Sequence, residues 1–416
     1  MLLKLQPLSG ILALTFVTLL LSENRHAKKM TLITVGIASQ FTLALVLLKV
    51  PFVKDFVALL NQGVLALQKA SEAGTSLVFG YLGGAPLPFN ENQPGAAYVL
   101  AFQALPLALF ISAFAALLYH WRILPKVVGV FSWLLAKVLN MNGATSFAVS
   151  ANIFVGMVEA PLLIRPYLAQ MSRADLFVVM ASGMSCIAGT VLVIYASVLS
   201  HIVPDAASHL LISSVVSAPA AIMLARLMVP LPSGLSQVPF RPTATYASTM
   251  DALVTGTGDG IRLVVNIAAM LIVLVALVAL LNSALGLLPL IAGEPITLQR
   301  LIGIPMQPIV WMLGIPWVEA GVAGQLLGTK FALNEMIAYL ELAKLPAGAL
   351  SARSQLIMTY ALCGFANFGS LGIVIGGLGA MAPTRRAEIV ELGLRSILVG
   401  GMATCMSAAV VAIVLD

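Results

Sequence analysis

Charge is what this sequence has least of. Only 9% of its 416 residues are Asp, Glu, Lys or Arg, against 60% hydrophobic, and the mean hydropathy is +1.03. Soluble domains carry about a quarter charged residues, so a water-soluble globule is excluded and the chain reads as a polytopic integral membrane protein. Cysteine is scarce as well: Cys186, Cys363 and Cys405 are odd in number, sit inside apolar segments and have no metal-ligand spacing, which argues against a disulfide framework. The four histidines, His26, His120, His201 and His209, fall near the ends of apolar runs, where interfacial solvation accounts for them without a proton relay. Neither a Ser, His, Asp grouping nor a metal set is present, so an enzyme is not expected. The small basic excess, a formal charge of +6, anchors the topology at one membrane face rather than implying nucleic acid.

What fills the sequence instead is long apolar runs. Lys4 ahead of "LSGILALTFVTLLLS" imitates a signal peptide, but no small-residue cleavage site follows, and "ENRHAKK" places the positive charge after the run. We read Leu8 to Ser22 as a short first span ending in the cytoplasm. Runs at about 32–50, 98–119, 174–203, 206–229, 260–285, 354–380 and 390–415 bring the expected spans to eight. The stretch from Val53 to Gly80 has apolar residues at helical spacing, yet Lys54, Asp55, Gln62, Gln68 and Lys69 interrupt it. It is expected to lie along the membrane interface, with a helix in an extramembrane loop as the alternative.

With the N-terminus outside, the basic clusters fall inside: Arg25 with Lys28 and Lys29, Arg122 with Lys126, Arg165 with Arg173, Arg226 with Arg241, and Arg385 with Arg386. Isolated charges such as Lys49, Lys54, Arg300 and Lys344 stay outside. This assignment closes only if the broken apolar segments at about 125–170 and 297–345 enter the membrane and return to the same side. Such re-entrant hairpins survive only where protein or a water-filled cavity covers their backbone.

The two broken segments resemble each other. "VGMVEAP" puts Gly156, Glu159 and Pro161 at one hairpin tip, ahead of a span with the polar centre "ASGMSCIAGT"; "LNE" puts Glu335 at the other, ahead of "LCGFANFGSLGIVIGG". A tip carboxylate followed by a Gly-rich, interrupted helix thus occurs twice, entering from opposite faces. The expected fold is an all-α polytopic membrane protein with about eight transmembrane helices, two re-entrant helical hairpins, interfacial helices and an inverted repeat. Residues 1–124 form the N-terminal spans and interfacial helix, mostly scaffold. Residues 125–229 form the first repeat, 230–296 a scaffold span and linker, and 297–416 the second repeat. Inverted repeats with broken helices are the architecture of secondary transporters, whose sites lie where the breaks and hairpin tips meet. An intramembrane carboxylate costs at least ~2.5 to 3.5 kcal/mol at the bilayer centre and marks a site, which singles out Glu159 and Glu335. Lys330 is placed to neutralise Glu335, and Asn152 and Asn367 could equally be interhelical hydrogen-bonding residues.

The segments "ANIFVGMVEAPLLIRPYL", "GTKFALNEMIAYLEL" and "ALCGFANFGSLGIVIGGLGAMAPTRR" resemble the signature segments of the concentrative nucleoside transporter family, in register from about residue 90 to the C-terminus. The resemblance implies eight spans, two hairpins and three interfacial helices per protomer, a homotrimer, and an elevator-like mechanism in a bacterial inner membrane. The implied function is cation-coupled nucleoside import, with another ribose-containing or polyol substrate as the alternative. By the same resemblance Glu335, Asn367 and Ser370 contact the ribose, Phe365 packs on the base, Glu159 faces it and Val191 is an apolar wall. Met157 and Val158 stand where the family has a base-reading amide and hydroxyl, so pyrimidine preference does not carry over. Asn152, Val155, Cys186 and Ile187 match the family's sodium site, but Cys186 replaces a hydroxyl with a thiol, a poor ligand for a hard cation. The coupling ion is expected to be Na+ at a weakened site, with H+ as the alternative; Cys186 as merely a small buried residue is the plain reading. No other cofactor is implied.

Overall fold

Hydrocarbon offers a backbone N–H or C=O no partner, so a chain that crosses it satisfies these groups within helices. The computed structural model describes residues 2–24, 30–89, 97–157, 159–231, 246–290, 293 and 295–415, and among them there is no strand. The basic residues Arg25, Lys28, Lys29 and Arg241, and His26, lie outside the described residues.

Three helices open the chain: α1 (Leu2–Leu20), α2 (Met30–Lys49) and α3 (Pro51–Phe79). The short α4 (Leu100–Gln103) runs into α5 (Leu105–His120), and α6 (Ile123–Leu139) follows. The first hairpin is α7 (Gly143–Asn152) and α8 (Glu159–Leu163), with α9 (Arg165–Leu168) behind it. Next come α10 (Arg173–Ser185) and α11 (Gly189–Leu199), the two halves of one broken helix, then α12 (Ala206–Met228), α13 (Thr249–Leu285) and α14 (Leu298–Met312). The second hairpin is α15 (Trp317–Ala332) and α16 (Glu335–Ala343). A second broken helix, α17 (Ala352–Leu362) and α18 (Phe368–Met381), precedes α19 (Arg386–Leu415).

Among the described residues, six helical stretches are long and apolar enough to cross a membrane: 30–49, 100–120, 173–199, 206–228, 249–285 and 383–415. The remaining two expected runs fall on shorter apolar helices, Gln6–Leu20 and Phe368–Met381. The run expected at 354–380 is interrupted between Leu362 and Phe368, where Gly364 has φ 155° and Asn367 caps the second half. The segment read as one hairpin at 125–170 also divides. Its first part is the independent helix α6, which ends at Asn140 in the left-handed conformation, φ 49°; the hairpin begins only at Gly143. The amphipathic stretch from Val53 to Gly80 is continuous as α3, and Gln68 Nε2 donates to the Val193 carbonyl of α11 at 3.2 Å.

Burial sorts the helices into a centre and a flank. The α10–α11 stretch and α12 are each 94% buried over their most apolar window, whereas α13 is 6% buried. α13 leans on α5 through Gly256 and Gly260, where an added Cβ would sit 2.9 Å from Ala113 Cα and 2.7 Å from Leu109 Cα. Without hydrophobic drive in lipid, such close small-residue contacts supply the packing. At one end of the bundle, Arg173 at the start of α10 donates to Glu23 at 2.9 Å and to Glu391 of α19 at 2.6 Å, and Arg395 also pairs with Glu23. The α1–α2 turn is thereby tied to the beginnings of α10 and α19.

Candidate substrate and ion site

The first hairpin tip docks on the first helix break. α10 stops at Cys186, α11 restarts at Gly189, and the Gly189 N–H donates to the Phe154 carbonyl at 3.0 Å. Gly156 makes the turn with φ 116°; a side chain there would meet Glu159 Oε2 at 2.8 Å and Ala188 Cβ at 2.9 Å. Asn152, at the end of α7, donates from Nδ2 to the Ser182 carbonyl of α10 at 2.7 Å. Cys186, the residue at which α10 ends, lies one helical turn beyond Ser182. The structure thus brings Asn152 and Cys186 together at the tip-to-break junction. Val155 follows the Phe154 carbonyl there, and Ile187 donates its N–H to Ser214 Oγ at 3.4 Å. The Cys186 thiol donates to the Ser214 carbonyl at 3.5 Å and lies 3.6 Å from Ser185 Oγ. Among the described residues, no three His, Cys, Asp or Glu side chains gather as they would around a metal ion. Any cation here would rest on an amide oxygen, hydroxyls and backbone carbonyls, the hard ligands that suit such an ion.

The second tip and break are built from polar caps. Asn334 caps α16 by accepting from the Ile337 N–H at 2.9 Å, which leaves Glu335 as the first residue of the helix. Asn367 caps α18, its Oδ1 accepting from the Ser370 N–H at 2.7 Å while its Nδ2 donates to Glu335 Oε2 at 2.8 Å. From the first broken helix, Tyr195 donates its hydroxyl to Glu335 Oε1 at 2.6 Å. Lys330 does not neutralise Glu335 by direct contact, because its Nζ is turned to the Ala361 carbonyl and to Thr404 Oγ1, each at 2.8 Å. That fully buried ammonium closes the broken end of α17 against α19 instead. Asn152 and Asn367 are indeed interhelical hydrogen-bonding residues, and Asn367 is at the same time part of the site.

A cavity of about 470 Å³ opens between these two assemblies. Met157, Glu159 and Val191 line it from the first repeat, and Glu335, Phe365, Asn367 and Ser370 from the second. Val158 lies outside the described residues. Sequence reasoning missed Tyr195, Thr190 and Asn334, and it missed the wall contributed by α13 through Asp259, Arg262 and Asn266. Asn334 stands beside the tip acid in "LNE", and Tyr195 is a lone phenol in "VLVIYAS", so each left a signal in the sequence. The α13 residues left less, since they sit at the polar beginning of an apolar run and look like a span end. Chemically, the second-repeat end can receive hydroxyls through a carboxylate, an amide and a hydroxyl. The first-repeat end has one acid, Glu159, and the Thr190 hydroxyl among apolar groups.

Comparison with known proteins points the same way. Family descriptions match along most of the chain: Na+ dependent nucleoside transporter N-terminus over residues 9–82, nucleoside recognition over 101–202, and Na+ dependent nucleoside transporter C-terminus over 209–412. The nucleoside permease NupC of Helicobacter pylori is 33% identical, with 96% of this chain and 95% of that protein covered. Sodium/nucleoside cotransporter 1 of Rattus norvegicus is 32% identical over 96% of this chain and 62% of that longer protein. Among solved structures, CNTnw in an inward-facing substrate-bound state superposes with a TM-score of 0.90 at 32% identity, covering 99% of this chain and 98% of that one. A variant of CNTnw in an outward-facing state gives 0.89 at 31% identity, covering 100% and 98%. With hairpin tips, helix breaks and a cavity between them, and relatives matched along nearly its whole length, this chain belongs to the concentrative nucleoside transporter family of multi-pass membrane proteins.

Proposed function

We propose that this protein imports nucleosides across a bacterial plasma membrane, coupled to a cation and by alternating access. The observation that carries the reading is the meeting of Glu335, Asn367 and Ser370 at one end of the cavity, a set suited to a pair of neighbouring hydroxyls. A buried site built to bond hydroxyls rejects analogues that lack them. The ribose occupies that end, Phe365 packs on the base, and the base reaches Met157, Val158, Glu159 and Val191. Movement is elevator-like: hairpins and broken helices travel together, and α13 with α5 belongs to the static scaffold. α3 lies along the interface. A homotrimer, in which the flank of α13 left bare over its most apolar window meets other protomers, is part of the same reading.

The family description names sodium, and the ion we assign to Asn152, Val155, Cys186 and Ile187 is Na+. A thiol is a soft ligand and a hard cation prefers oxygen, so the site is weak, and backbone carbonyls carry more of the coordination. Uptake of labelled uridine into proteoliposomes under separate sodium and pH gradients tests this. Sodium should drive the parent, and Cys186→Thr should lower the sodium concentration needed. If sodium drives neither protein and a proton gradient drives both equally, the sodium assignment is wrong. Competition by a panel of nucleosides, nucleobases and ribose in the same assay identifies the substrate class.

A further inference from the structure

Glu335 is held by a residue from the other repeat. Tyr195, 2% exposed, sits on α11 and aims its hydroxyl at Oε1, while Asn367, the cap of α18, aims its amide at Oε2. The Tyr195 ring is itself fixed. Its centroid lies 5.0 Å from that of Tyr339, whose hydroxyl donates to the Thr359 carbonyl of α17 at 2.8 Å. A carboxylate is acceptor-only and has about four lone-pair positions, two on each oxygen. One position on each oxygen is taken by a protein donor, so each oxygen keeps acceptor capacity toward the cavity that Tyr195 and Glu335 both line.

We infer that Tyr195 is a positioning residue that sets substrate specificity: it fixes the Glu335 carboxylate so that both oxygens stay aimed at a vicinal diol. The inference rests on the nucleoside reading given above and deepens it. A freely turning carboxylate accepts one hydroxyl as readily as two, whereas a carboxylate pinned at both oxygens offers two separated acceptors matched to adjacent hydroxyls. Tyr195 therefore supplies discrimination in favour of a 2′,3′-diol, and because it comes from the first repeat, the ribose end is complete only when the two repeats are packed together. A phenylalanine keeps the ring and its packing on Tyr339 and removes only the donor.

Equilibrium binding of uridine and inosine, and of their 2′,3′-dideoxy counterparts, to the purified full chain tests this. The parent should bind each ribonucleoside about a hundredfold tighter or more than its dideoxy analogue. Tyr195→Phe should weaken ribonucleoside binding roughly tenfold while moving the dideoxy analogue less than about twofold. 4-Aminophenylalanine at position 195, which keeps a donor in the same place, should restore most of the discrimination. Equal losses for both ligands, or no loss, would overturn the assignment and leave the nucleoside reading standing. Failure of the parent to bind any nucleoside would overturn both. The unmutated sequence answers the same question if the variants do not fold. With isotope-labelled tyrosine at position 195 alone, its phenol C–O infrared band should shift when a ribonucleoside is added and not when a dideoxynucleoside is added. An unmoved band, or the same shift with both, counts against it.

Discussion

At the scale of single residues, Glu335 concentrates the chemistry. It is 4% exposed, is held at both oxygens by Tyr195 and Asn367, and has no direct ion pair with the nearby Lys330. Removing its charge or one of its donors leaves buried polar groups without their partners, which costs ~1 to 3 kcal/mol and more where a charge is involved. Glu335→Gln or Asn367→Ala should therefore abolish accumulation of nucleoside while leaving the purified protein folded and in the parent's oligomeric state. Uptake together with size-exclusion chromatography decides it, and a variant that accumulates like the parent would remove its residue from the site. The base end is sparser. With Met157 lining the cavity beside Glu159, the protein should separate pyrimidine from purine ribonucleosides only weakly. Met157→Gln combined with Val158→Thr should raise the uridine-to-adenosine affinity ratio severalfold, since each added hydrogen bond contributes about 0.5 to 1.5 kcal/mol. An unchanged ratio in that double variant would separate these residues from the base.

At the scale of elements, the fold depends on two broken helices meeting. Gly364, in the second break, has φ 155°, and a side chain there would meet Thr404 Cγ2 at 2.8 Å and the Met184 carbonyl oxygen at 2.9 Å, beside the first break. Gly364→Ala forces backbone apart in a packed centre, where overpacking costs about 1 to 3 kcal/mol. Its melting temperature should fall by several degrees, and Gly376→Ala, in open space on α18, should not lower it. If the two variants melt alike, the breaks are not packed as tightly as described. Much of this was legible in the sequence. "FANFGS" and "SCIAGT" announce their breaks because Gly and small polar residues are out of place in lipid, and the tip acids announce themselves by their cost. What the sequence hid was pairing in space. Nothing in "VLVIYAS" says that its tyrosine reaches an acid 140 residues away, and nothing beside Glu335 says that Lys330 turns to a carbonyl. The boundary of α6 was lost for a related reason: it and the hairpin after it are both apolar, and only the turn at Asn140 separates them.

At the scale of the whole molecule, the centre and the flank divide the labour. The first break lies in the deeply buried α10–α11 stretch, and α13 presents Asp259, Arg262 and Asn266 to the same cavity from the exposed side. A boundary between a packed body and a nearly bare helix is where one part can travel past the other. One cation moving inward at 100 mV releases ~2.3 kcal/mol, enough for roughly fiftyfold accumulation when each tenfold costs about 1.4 kcal/mol. The most direct measurement is concentrative uptake of labelled uridine or inosine by the purified protein in proteoliposomes carrying an inward cation gradient, with Glu335→Gln alongside. The account predicts saturable accumulation above equilibrium that collapses when an ionophore dissipates the gradient and is absent in the variant. Uptake that merely equilibrates, or that survives in Glu335→Gln, would contradict it.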